Sequence, residues 1–427
     1  MRKRIRIGNY VSNKPIFCAL AFGSASVNSY GEYIPCCSIR TSDWEYYKDT
    51  DPSMLNLDPK DRINAPNLRE IRKTLLEGEW PKACENCKIA ESAEVNSMRT
   101  IWNSGLSDYD IPTEEFVDPK NIKYLDLTFS TKCNSKCMTC NSSLSDFWEE
   151  EEKFIWKNLN VNNKRVCIDT DTAGKLAEQF PNVDRINFVG GEPTISEEHI
   201  NFLQSLVESG NSKNISIGYV TNLVVINTEL MELWTSFKDV GGSLSIDGYG
   251  KVNEYIRYPV KWEKTEANLR KYFNLMNDKN SFGLSCTVSL FNAIQCFELL
   301  EYWIDLVTEY KMNPNIGIFI NRVSHPDFLT IAMLSPEYRQ IGIDRANLLL
   351  EKINSYNEAN SIPINSGSKE SVELLISWLS EPQTYDTQKL TKAKHFITQS
   401  DKFRKRHLKD YIPELWEELE KLWNSMT

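Results

Sequence analysis

Cys133, Cys137 and Cys140 stand at C-x3-C-x2-C spacing in the stretch Thr128-Phe-Ser-Thr-Lys-Cys-Asn-Ser-Lys-Cys-Met-Thr-Cys-Asn-Ser-Ser143. Three thiolates can hold three corners of a 4Fe–4S cube and leave the fourth iron without a protein ligand. An open iron can bind a small molecule, which is the requirement for chemistry rather than plain electron storage. The spacing by itself also fits a zinc knuckle lacking one ligand, or a ferredoxin-like cluster whose fourth cysteine lies elsewhere. The segments on either side narrow the choice.

Immediately before the triplet, Tyr124-Leu-Asp-Leu-Thr-Phe-Ser130 alternates apolar and polar residues and reads as a strand. The cysteines therefore lie on the loop that leaves a strand's C-terminal end, where β/α barrels place their active sites. Arg185-Ile-Asn-Phe-Val-Gly-Gly-Glu-Pro193 is a second strand that ends in Gly190, Gly191, Glu192 and Pro193. Two glycines free the backbone to approach a ligand, and Glu192 adds a carboxylate beside exposed amides.

Strand, cysteine triplet, helical stretch and a strand ending in GGEP together resemble the radical S-adenosylmethionine (radical SAM) enzymes. The resemblance implies that the open iron chelates the amine and carboxylate of the methionine part of S-adenosyl-L-methionine, with Gly190, Gly191, Glu192 and Pro193 lining the amine. It also implies reductive cleavage of the cofactor to a 5′-deoxyadenosyl radical, which takes hydrogen from a small-molecule or peptidyl substrate. A reductant such as flavodoxin or ferredoxin is then a partner.

Beyond GGEP the barrel can be followed strand by strand. Ile215 to Asn222, Gly242 to Gly248, Phe282 to Ser289 and Asn315 to Val323 read as the third to sixth strands. Helical stretches Glu198–Glu208, Thr228–Phe237, Lys264–Met276 and Phe297–Tyr310 separate them, and this alternation predicts a parallel sheet. Six units imply an open, partial (β/α)6 TIM-like barrel. Ser245 and Arg257 match, by the step between them, the pair that holds the SAM carboxylate in relatives with an auxiliary-cluster SPASM module; a guanidinium grips a carboxylate through two parallel hydrogen bonds. Against this, Arg257 could form a surface ion pair with Glu254 or other nearby acids. Asp247 could bind substrate or cap its turn, and Asn222 is equally open between cofactor and structure. Thr139 occupies the place before the third cysteine that is often aromatic, so adenine packing falls to Met138 or Phe129.

The remaining cysteines are grouped. The chain has 11, without an export signal, which argues for metal or cluster ligation rather than a disulfide framework. Cys18, Cys36, Cys37, Cys84 and Cys87 form an N-terminal set, whereas Cys167, Cys286 and Cys296 are scattered and read as small buried hydrophobes. Phe17 to Cys36 reads as a hairpin turning at Asn28 to Gly31, with a cysteine near each outer end. Pro66 to Glu77 is a proline-opened helix with Leu68, Ile71, Leu75 and Leu76 at helical period, stopped by Gly78. Trp80-Pro-Lys-Ala-Cys-Glu-Asn-Cys87 brings the last pair on a turn. Hairpin, helix and C-x2-C resemble the half-size SPASM module, the twitch domain, which implies an auxiliary 4Fe–4S cluster held by Cys18, Cys36, Cys84 and Cys87. Cys37 is possible in place of Cys36. A four-cysteine zinc site is the structural alternative.

These readings divide the chain into an α+β twitch/SPASM-like iron–sulfur module at 1–95, a linker at 96–121, the barrel at 122–330 and a helical C-terminal cap at 331–427. The auxiliary module precedes the barrel, the reverse of its usual order. Leu415, Leu419 and Leu422 mark one face of the last helix; His325 just past the sixth strand is a candidate for substrate or proton transfer; Cys286 could return a hydrogen atom but fits core packing better. A net charge of −10 gives no global attraction to nucleic acid, and no apolar run approaches a membrane span. A cytoplasmic enzyme is expected. Two basic patches, Arg2–Arg6 and Phe403–Lys409, run against the net charge, and the second reads as a solvated helix face. The competing classes are a non-catalytic iron–sulfur electron carrier and a zinc- or cluster-stabilised binding protein.

Overall fold

The computed structural model describes residues 5–7, 10–12, 16–39, 58–92, 96–105, 114–157, 168–275, 280–310, 317–359, 364 and 366–426. Cys167 and residues 2–4 of the first basic patch lie outside them. In chain order the strands are β1 Ile5–Ile7, β2 Tyr10–Ser12, β3 Ser24–Val27, β4 Tyr33–Ile34, β5 Tyr124–Thr128, β6 Lys136–Cys137, β7 Arg185–Val189, β8 Ser216–Thr221, β9 Asp239–Ser245, β10 Arg257–Tyr258, β11 Asn280–Val288 and β12 Ile318–Arg322. The fold is mixed α/β with parallel sheet and helices. It divides into two compact units that interleave along the chain: residues 1–131, 164–219 and 229–240 form the first, and residues 132–163, 220–228 and 241–427 the second.

In the first unit the strand order is β4-β3-β5-β7-β8. β3, β5, β7 and β8 pair in parallel, and β4 returns antiparallel to β3. Alternation sets the two faces. Leu125, Leu127, Ile186, Phe188, Ile217 and Tyr219 are buried on one face. On the other, Ser26, Asp126, Asn187 and Gly218 stand in one row across four strands. Parallel neighbours need crossovers, and the helices Thr170–Gln179 and Glu197–Glu208 supply them.

The expected hairpin at 17–36 is shorter than its sequence suggests. Its turn is where it was expected, with the Gly31 amide donating to the Asn28 carbonyl at 3.0 Å. Upstream of β3, however, Ala19–Gly23 is a short helix, buried along its whole length. A run apolar at every position has no exposed face to give a strand of this hairpin. The hairpin also joins the same sheet as β5, through the register Ser24↔Tyr124 to Val27↔Leu127. The helix Pro66–Glu77 forms as expected, burying Leu68, Ile71 and Leu75. Gly78 at φ 84° ends it in a Schellman turn, with Gly78 N–H donating to Leu75 and Glu79 N–H to Thr74, both at 3.1 Å.

In the second unit β9, β11 and β12 are neighbours in that order, and β11 pairs with β12 in parallel from Leu284↔Ile318 to Val288↔Arg322. The sixth strand begins at Ile318, and the part expected from Asn315 falls partly outside the described residues. The C-terminal segment is helical as expected, in Pro336–Ala359, Ser366–Leu379, Thr387–Arg404 and Pro413–Asn424. Leu415, Leu419 and Leu422 are buried on the last of these. Among the described residues no helix is long and apolar enough to cross a membrane.

Candidate iron–sulfur sites

The cysteine loop belongs to the second unit, and its backbone is held at successive residues. β6 is two residues long and pairs antiparallel with β10, placing Cys137 opposite Arg257. The Met138 amide donates to the Ile256 carbonyl at 2.8 Å, and Trp148 Nε1 donates to the Cys137 carbonyl at 3.0 Å. The Cys133 amide donates to Asp146 Oδ1 at 3.2 Å.

Polar side chains reach the sulfurs. Asn222 Nδ2 lies 3.9 Å from Cys133 Sγ while donating to Asn134 Oδ1 at 2.7 Å. Arg257 Nη1 lies 3.5 Å from Cys137 Sγ. Burial pushes the Cys140 thiol up, Cys137 and Cys133 push it further, and Arg257 opposes them. The Cys140 sulfur thus senses the other two, and N–H donors are directed at the sulfurs of Cys133 and Cys137.

Arg257 does not pair with Glu254. Glu254 is engaged by Lys261 Nζ at 2.8 Å and by the Trp262 amide at 3.1 Å. Instead, Arg257 Nε is 2.8 Å from Oδ2 of Asp247, whose side chain is 0% exposed. The N–H does not point along this contact, so neither atom has a well-aligned hydrogen bond. Burial alone would lower the Arg257 pKa; Asp247 and Cys137 outweigh it, and the net shift is upward. Asp247 is more than a turn cap, because its Oδ1 also accepts from the Thr287 amide at 2.8 Å. Ser245 closes β9 and is half-buried.

The two residues expected to pack on the adenine are both buried. Phe129 is buried in a first-unit aromatic cluster, with ring centroids 5.4 Å from Phe202 and 6.0 Å from Phe188. Met138 is also fully buried, its Sδ 3.2 Å from Arg404 Nη1. Cys286 is buried, with Asn292 Nδ2 3.7 Å from its sulfur, and Cys296 is buried as well. His325 is exposed.

The basic patch Phe403–Lys409 is a solvated face only in part: Lys405, His407 and Lys409 are exposed, whereas the Arg404 and Arg406 side chains are buried. Arg404 is fully buried and ion-paired to Glu151, and Arg406 donates to the carbonyls of Glu254 at 3.1 Å and Tyr255 at 2.6 Å. Basic residues at the end of an amphipathic helix give no sequence sign of this burial, because their carboxylate and carbonyl partners lie far away in the chain.

The GGEP segment belongs to the first unit. Gly190 and Gly191 take φ of 84° and 47°, the left-handed region that favours glycine. A Cβ on Gly190 would collide with Thr128 Cγ2 and stand 3.2 Å from the Ser130 carbonyl oxygen. Glu192 is buried and caps the turn Pro193–Ile195, accepting from Thr194 Oγ1 at 2.7 Å.

The N-terminal set converges as well. Cys18, Cys36, Cys84 and Cys87 line one small cavity together with Arg99 and Met98. Burial raises Cys18 to about 11, with Cys87 adding to the rise. Burial also raises Cys36 and Cys84, and each senses Cys18. Cys37 does not line this cavity. Although exposed as a residue, it turns its thiol onto Asp126, and burial followed by that carboxylate raises its pKa. Arg99 anchors the cavity wall through Glu91 and the Phe17 carbonyl, the latter at 2.8 Å. Among the described residues, no group of three or more His, Cys, Asp or Glu is set to hold a single metal ion. Four sulfurs around one zinc would stand about 3.8 Å apart, as bonds of about 2.3 Å in a tetrahedron require.

No family model matches the chain, and no curated protein matches it. Among solved structures, Streptococcus suis SuiB bound to the precursor peptide SuiA superposes with a TM-score of 0.35 at 16% identity, over 84% of this chain and 69% of that one. SuiB bound to S-adenosylmethionine gives 0.33 at 15%, over 54% and 45%. Hexahistidine-tagged anSMEcpe with bound AdoMet gives 0.38 at 17%, over 55% and 60%. The chain thus spans less than two thirds of the length of these last two. Likeness this distant carries no functional weight, and the reading rests on the residues themselves.

Proposed function

We propose that this chain is a radical SAM enzyme whose Cys133, Cys137 and Cys140 hold a 4Fe–4S cluster and whose Cys18, Cys36, Cys84 and Cys87 hold an auxiliary 4Fe–4S cluster. The observation that carries the reading is the three-cysteine loop, with N–H donors from Asn222 and Arg257 directed at two of its sulfurs. Cys133, Cys137 and Cys140 would hold the cluster, which would supply the reducing electron for S-adenosylmethionine, and the cofactor would supply the hydrogen-abstracting chemistry.

The chain's own residues position and shield. Trp148 and Ile256 fix the loop backbone, Asn222 and Arg257 offer hydrogen bonds to thiolates, and Asp247 fixes Arg257. Ser245 and Arg257 are assigned to the methionine carboxylate, and Gly190–Pro193 to its amine, by the resemblance of these motifs. Cys36 is assigned as the fourth auxiliary ligand because it lines the cavity and Cys37 does not. The partial barrel and the twitch module belong to the same proposal, as do a flavodoxin or ferredoxin reductant and a small-molecule or peptidyl substrate.

Anaerobic reconstitution tests this. About eight irons per chain are expected, four for each cube. Dithionite and SAM should then give 5′-deoxyadenosine, and a Cys133→Ala, Cys137→Ala, Cys140→Ala variant should give none. An iron-loaded protein that releases no 5′-deoxyadenosine leaves the electron carrier as the answer; a protein that takes up zinc in preference to iron leaves the binding protein.

A further inference from the structure

We infer that Arg404, 264 residues beyond Cys140, is a positioning residue for the cluster loop, so that the C-terminal helical segment clasps the iron site from behind. The inference rests on the functional reading above for the cluster, though not for the clasp.

The geometry is that of a buried charged knot within the second unit. Arg404 ends the helix Thr387–Arg404, and its side chain and that of Glu151 are both 0% exposed. Nε pairs with Glu151 Oε1 at 2.7 Å, and Nη2 donates to the Lys136 carbonyl at 2.8 Å. The guanidinium lies over the Trp148 ring at 5.0 Å and the Tyr258 ring at 5.1 Å. With Trp148 on the Cys137 carbonyl and Ile256 on the Met138 amide, three consecutive residues centred on Cys137 are each fixed by a hydrogen bond.

The type of residue matters. Lysine cannot match the planar fork that reaches a carboxylate and a carbonyl at once. Simple support of the fold would not require a buried ion pair, because well-packed apolar residues serve as well or better there. The arginine is explained by its grip on a backbone carbonyl next to a ligand cysteine. Cluster ligands need their backbone fixed by surrounding hydrogen bonds much as metal ligands do.

Arg404→Gln alone would leave buried Glu151 with only Lys136 Nζ, 4.0 Å from its Oε2, so the informative variants are Glu151→Gln/Arg404→Gln, which removes the whole Arg–Glu pair, and Arg404→Lys, which keeps the positive charge. The first readout is amide hydrogen exchange over residues 136–138 in the protein as purified. It should quicken about tenfold in the double variant, the equivalent of one hydrogen bond to a charged group, and less in Arg404→Lys. The second is the EPR signal of the reduced, reconstituted protein that changes on adding SAM. A chelator should remove this signal about tenfold faster from the double variant, while the SAM-insensitive signal decays as in the wild type. Wild-type exchange and wild-type chelation rates in the double variant would overturn the clasp. A wild-type protein without any SAM-sensitive signal would overturn the functional reading instead, and the exchange measurement would still decide the clasp.

Discussion

Replacing Asp247 by alanine should cost the second unit about 4 kcal/mol. The carboxylate is fully buried, its Oδ2 is 2.8 Å from Arg257 Nε, and its Oδ1 accepts from the Thr287 amide at 2.8 Å. Removing one member of a buried ion pair leaves the other charge uncompensated, at about 3–5 kcal/mol. The orphaned amide adds about 1–3 kcal/mol, but the two losses share one site and do not sum. Asp247→Asn keeps an acceptor for Thr287 and loses only the charge, so it should cost about 3 kcal/mol, the low end of the ion-pair range. The assay is urea unfolding of the cluster-free protein, followed by tryptophan fluorescence and by circular dichroism. The decisive variant is Asp247→Ala/Arg257→Met, which removes the stranded charge and should recover more than half of the loss. Were the double variant as unstable as Asp247→Ala, the ion pair would not be the source of the cost.

Three further outcomes follow from the structure. Burial holds His199 down at about 3, so the folded state keeps it neutral while the unfolded chain takes up a proton below about 6.5. Stability should therefore fall as pH drops from about 6.5 towards 3, by up to about 1.4 kcal/mol per unit, and His199→Gln should flatten that slope in unfolding measured across the window. Gly190→Ala should lower the melting temperature more than Gly78→Ala: both have φ of 84°, costing about 1 kcal/mol, but only Gly190 also meets Thr128 and Ser130. Cys36→Ser should remove about four irons from the reconstituted protein, while Cys37→Ser should keep them, as iron and sulfide assays would show.

What could be read from the sequence was mostly local. The helix Pro66–Glu77 carries its own start, period and stop, and each strand from β5 to β12 in the expected barrel path carries its alternation or apolar run. The cysteine groups were equally plain, because ligand spacing is a short-range signal. Partners brought together by folding were not. Arg404 and Arg406 look like any exposed basic run until Glu151 and the Tyr255 carbonyl are placed against them. Arg257 has Glu254 nearby in sequence, yet a separate lysine claims that glutamate and Asp247 becomes its partner. Phe129 is close to the cysteines in sequence, yet its ring packs against Phe188 and Phe202. Which way the thiols of Cys36 and Cys37 turn is set by folding, and the sequence alone leaves both orientations open.

The parallel pairing of β3 with β5 has a consequence for how the chain can be cut. β3 begins six residues after Cys18, and it covers one side of β5 while β7 covers the other. Removing residues 1–95 as a supposed detachable module would bare the hydrogen-bonding edge of β5, a row of unpaired donors and acceptors that invites intermolecular pairing. Conversely, any group gripped by Cys18 and Cys36 ties down the chain on either side of the β3–β4 hairpin, so its binding free energy adds to the stability of the sheet. Loading the four-cysteine cavity and ordering the strand that leads into the Cys133 loop are then linked equilibria.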